Sequence, residues 1–63
     1  MNKKRIKAAL KHARGIRKEL HDKVLLGPGY AFSYQCIVGD IRKVEQGDHS
    51  EGAIATLENK KVK

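Results

Sequence analysis

The sequence predicts an all-α fold: a helical hairpin followed by a short C-terminal helix. Three observations carry that prediction. Apolar residues recur at helical spacing from Ile6 to Val24, a Gly-Pro-Gly at 27–29 interrupts them, and a second helical series runs from Tyr30 to Val44. At 63 residues the chain forms one domain, 1–63, with a small core. Such a chain buries only about 60% of the surface its unfolded form exposes, so small domains lean on disulfides, metals or another subunit. Cys36 is the only cysteine, which rules out an intrachain disulfide and argues against a finger-type zinc site. Tight helix packing or self-association remains, and a homo-oligomer is the expectation.

The first helix is expected over about 2–26. Ile6, Ala9, Leu10, Ala13, Ile16, Leu20 and Val24 fall within one sector of about 120° when each residue advances by about 100°. Lys3, Lys7, Lys11, Arg14 and Lys18 form a separate stripe beside it. Asn2 suits the N-cap, and the Ala, Leu, Lys and Arg content favours a helix. Gly15 lies off the apolar sector and costs about 1 kcal/mol relative to alanine. Gly27 and Pro28 are expected to stop this helix. Glycine readily turns left-handed after a last turn, and proline cannot continue the hydrogen-bond ladder.

The stretch "YAFSYQCIVGDIRKVEQ" admits two readings. As a hairpin at 30–46, an α+β alternative, Tyr30, Phe32, Tyr34, Cys36 and Val38 alternate onto one face and Gly39-Asp40 makes the turn. Pairing then sets Cys36 against Lys43 and Tyr34 against Glu45, which scatters the apolar set. As a helix, Tyr30, Tyr34, Ile37, Ile41 and Val44 step by four and three and stay together, so the helix is favoured. Beyond Gly47, either Asp48 with Glu51 as a capping box or Ser50 caps a third helix carrying Ile54 and Leu57. Lys60, Lys61 and Lys63 follow at its C-terminal end, where positive charge suits the helix dipole. A short strand over 53–58 is the alternative.

Net charge is +7, and it is unevenly spread. The first eighteen residues hold eight Lys/Arg and no acid, whereas the remainder holds six Lys/Arg and seven acids. Lys3, Lys7, Lys11, Arg14 and Lys18 are therefore candidate contacts to an anionic macromolecule, nucleic acid first, an acidic protein surface second. The plain alternative is a solvated helix face. A membrane is disfavoured: no long apolar run exists, and helix one has no aromatic anchor.

No catalytic pattern emerges. The carboxylates are scattered, His12, His21 and His49 lack i, i+4 spacing, and no cofactor or metal is implied. Cys36 reads as a half-buried thiol on the second helix. Tyr30 and Tyr34 share that helix's apolar face, but Phe32 projects off it, which suggests a partner or oligomer contact through Tyr30, Phe32, Tyr34, Ile37 and Ile41, with the oligomer formed through the Ile37/Ile41/Val44 and Ile6/Leu10/Leu20 faces. "GPG" lacks the lysine and hydroxyl residue of a Walker loop. It reads better as a turn than as an anion site at the next helix N-terminus.

The leading expectation is thus a non-enzymatic module binding nucleic acid through a basic helical stripe. A second is a small inhibitor or adaptor of a larger protein, and a third is an oligomer sequestering a small phosphorylated nucleotide. In size, charge and lack of a catalytic signature the chain resembles, in general character only, small accessory proteins of phages and mobile elements. The lone cysteine and absence of a signal-peptide pattern suit the cytoplasm.

Overall fold

The computed structural model describes residues 2–62. Helix α1 spans Lys3–Lys23, a 3-10 turn covers Val24–Leu26, α2 spans Pro28–Glu45, and α3 spans Glu51–Glu58. No strand occurs among the described residues, so both strand alternatives give way to helix. The reason is visible in α2. Ile37, Ile41 and Val44 are all at most 1% exposed, on the single face that the helical spacing gathers.

The N-cap of α1 is Asn2, whose side-chain oxygen accepts from the Lys4 N–H at 2.8 Å. Its other end departs from expectation. α1 tightens into the 3-10 turn, and Gly27 then adopts φ 168°, ψ 162°. That is extended backbone rather than a left-handed cap, and Pro28 already opens α2 as its first residue. α2 ends on a glycine cap. The Gly47 N–H donates to the Val44 carbonyl at 3.1 Å and the Asp48 N–H to the Lys43 carbonyl at 3.0 Å. This Schellman pattern holds Gly47 at φ 111°, where a β-carbon is disfavoured. Ser50 caps α3: its hydroxyl oxygen accepts from the Ala53 N–H at 3.3 Å, and its O–H donates to Asp48 Oδ1 at 2.8 Å.

Helices α1 and α2 lie antiparallel, because Arg14 meets Glu45, His21 meets Tyr34, and Lys23 meets Tyr30. α3 folds back on both. The core joins Ile6, Ala9, Ala13 and Leu20 of α1 to Ile37, Ile41 and Val44 of α2 and Ile54 and Leu57 of α3. Burying each large aliphatic side chain is worth about 1.5–3 kcal/mol. Ala9 and Ala13 present little side chain at the centre of α1, and Ala13 is fully buried there.

This core corrects the expected oligomer contact. Ile37 and Ile41, with Ile6 and Leu20, are consumed by the chain's own packing, so they offer no surface to a second copy. Cys36 is also corrected: it is exposed, because it falls on the outer side of α2, one helical turn beyond Phe32. Among the described residues no helix is long and apolar enough to cross a membrane.

Candidate nucleic-acid interface

The basic stripe is built by one helix. Lys3, Lys7, Lys11, Arg14 and Lys18 occupy a sector of about 80° on α1, and all five are exposed. The apolar sector beside it is anchored in the core, which fixes the direction of the stripe. Lys3, Lys7, Lys11 and Lys18 hold no ion pair with any described residue. Arg14 differs. Its guanidinium donates to Glu45 Oε2 of α2 at 2.8 Å, so part of its charge is already answered within the chain.

Arg5 carries the largest role that sequence reasoning missed. Its guanidinium donates to both Glu51 oxygens at 2.6 and 2.8 Å and to both Glu58 oxygens at 3.0 and 2.8 Å. One arginine thereby spans α3 from its first residue to its last. Hydrogen bonds from Arg5 hold both carboxyls below the usual glutamate range, and the two glutamates in turn raise the Arg5 pKa. The available signal was the spacing. Glu51 and Glu58 lie two turns apart on one face of α3, and Arg5 flanks the apolar sector of α1 on the side away from the stripe. Beyond the end of α3, midway along α1, Lys60 Nζ meets Asp40 Oδ2 at 2.7 Å, and the Lys60 carbonyl lies 2.9 Å from His12 Nε2. The acids of the C-terminal half thus neutralise Arg5, Arg14 and Lys60 and leave the lysine stripe uncompensated.

The aromatic residues divide as their spacing predicted. Tyr30 and Tyr34 are half-buried against the core. Tyr34 faces His21 with ring centroids 5.6 Å apart and tilted by 56°, and Lys23 Nζ stands 5.9 Å from the Tyr30 ring centroid. Phe32 is 70% exposed. It borders an open cleft of about 520 Å³ together with Leu20, Cys36 and the segment 59–62. Leu25 and Leu26, at the hairpin tip, are 98% and 73% exposed, an apolar feature that the sequence reading absorbed into helix one. No side chain caps the N-terminus of α2. Among the described residues no cluster of three His, Cys, Asp or Glu is arranged to hold a metal ion.

Comparison with protein-family models, with characterised proteins and with solved structures gives no significant match.

Proposed function

We propose that this chain is a non-enzymatic binding module for an anionic macromolecule, nucleic acid foremost, and that α1 is its contact surface. One observation carries the reading. Lys3, Lys7, Lys11 and Lys18 project from one face of a single helix and hold no acidic partner among the described residues, while Arg5 is answered by Glu51 and Glu58, Arg14 by Glu45 and Lys60 by Asp40. Aligned uncompensated ammonium groups release condensed counterions when they meet a phosphate backbone, which drives binding. The test is a titration with labelled DNA and RNA at several salt concentrations. Affinity should fall steeply as salt rises, and the double variant Lys7→Glu/Lys11→Glu should lose at least tenfold at low salt with its helix content unchanged. No measurable binding to either nucleic acid at 50 mM salt overturns the reading.

A second reading, a small protein that blocks or adapts a larger one, draws on Leu25, Leu26 and Phe32, large apolar side chains left in water. Capture from the native host in the presence of nuclease should then retain one specific protein, and Phe32→Ala should release it. Retention unchanged by Phe32→Ala removes Phe32 as the anchor.

A further inference from the structure

We infer that the nucleic acid this surface takes is a duplex, gripped through its phosphate backbone without reading sequence; the inference rests on the function proposed above and specifies its ligand. Three observations point the same way. First, α1 holds no Phe, Tyr or Trp, and the exposed Phe32 sits on α2 beside the 59–62 segment, where it borders a separate cleft. Single-strand binders combine a basic groove with aromatic platforms on which successive bases stack. Here the basic surface and the exposed ring belong to separate faces.

Second, Lys3–Lys23 contains no Asn, Gln, Ser or Thr. The helix therefore lacks the amide that pairs bidentately with adenine; lysine can reach a guanine edge, but along the backbone it contacts phosphate as a point charge, and the free cations of the stripe are all lysine. Contacts of this type position a protein on nucleic acid and carry no sequence information. Third, the stripe lies along one unbroken α-helix. From Lys3 to Lys18 it runs about 22 Å along α1 at about 1.5 Å per residue. A duplex offers a stiff matching rail of about one negative charge per 1.7 Å of its axis. A flexible strand has to be ordered to follow the same line.

The geometry also sets the number of contacts. Arg14 is engaged by Glu45, so four lysines remain free on the stripe. Four phosphate contacts give a slope of log K against log salt near −3.6 for B-form DNA and near −2.8 for a single strand. Taking equal affinity at 1 M salt, that difference favours the duplex by about tenfold at 50 mM.

The experiment is fluorescence anisotropy with the full chain and end-labelled probes of equal length: two DNA duplexes of unrelated sequence, one RNA duplex, and an oligo-thymidine strand. Expected are a DNA-duplex slope near −3.6, agreement between the two DNA duplexes within about threefold, and weaker binding of the single strand by about tenfold. Phe32→Ala should leave duplex affinity unchanged, and Lys11→Gln should flatten the slope by about 0.9. Single-strand binding as tight as duplex binding, a tenfold preference between the two DNA sequences, or loss of duplex binding in Phe32→Ala overturns this inference while leaving the anionic-partner reading intact. Failure of every probe to bind at 50 mM salt overturns both.

Discussion

Arg5 shows how much one residue can be asked to do in a chain this small. Its planar guanidinium suits bidentate pairing, and here it grips two carboxylates at opposite ends of α3. Surface ion pairs in isolation contribute little, but a bidentate pair shared between two glutamates has the geometry that makes such contacts count. The pH dependence follows from the direction of the shifts. Glu51 and Glu58 sit below their ordinary value of 4.5 in the folded chain. The stability they supply is therefore fully present above that value and is lost as pH falls through the lower folded-state values. Thermal melts should hold steady from pH 7 to pH 5 and shift downward below about pH 4.5. Arg5→Gln should lower the melting temperature at pH 7 and flatten the acid-induced drop. A profile in Arg5→Gln parallel to that of the parent removes Arg5 as the source. Asp48, lowered by the Ser50 hydroxyl and N–H, accounts for a residual drop in that variant.

Among the elements, α1 and α2 each carry an interior glycine that their packing does not use. A β-carbon added at Gly15 or Gly39 meets nothing within 4 Å. Both positions are helical, so alanine removes backbone freedom from the unfolded chain without strain. Gly15→Ala and Gly39→Ala should each stabilise the protein by about 0.5–1 kcal/mol, read as a rise in melting temperature of up to about 8 °C. The two sites lie on different helices and share no partner, so the double variant should show the sum. A fall in melting temperature at either site means that the glycine serves a contact outside the folded monomer. Gly47 is the opposite case. Its positive φ closes α2 and aims the chain at Ser50, so alanine there is strained whatever space surrounds it.

For the whole molecule the decisive fact is where charge ends up. The body is an elongated 37 × 15 × 15 Å bundle whose length is set by α1. Folding sets acids from the balanced C-terminal half against α1 through Arg5 and Arg14, and it leaves Lys3, Lys7, Lys11 and Lys18 without an acidic partner along one edge of α1. Separately, Leu25, Leu26 and Phe32 stay in water, while every other large aliphatic side chain among the described residues is at least partly covered. These two surfaces differ in chemistry, a row of ammonium groups on α1 and apolar side chains at the hairpin tip and Phe32. The two proposed readings draw on one each.

Helix number, order and inward faces were legible in the sequence, because a 3.6-residue period is a local property that reads directly as one buried stripe. Ile37, Ile41 and Val44 against Ile6 and Leu20 needed no knowledge of the rest of the chain. The caps at Asn2 and Ser50 were legible for the same reason, since each acts within three residues. The basic stripe was visible as a pattern, but its effective membership was not. Arg14 is answered by a residue 31 positions away, and Arg5 by residues 46 and 53 away. Such pairings depend on how α2 and α3 lie against α1. The conformation at Gly27 and the exposure of Cys36 likewise depended on where α1 ended and how α2 was rotated. By itself, then, the sequence determined the helices and the faces they bury, because those follow from short-range periodicity. Only the tertiary structure decided which cations remain free to meet a partner, because charge compensation is set by distances between groups that the chain brings together only on folding.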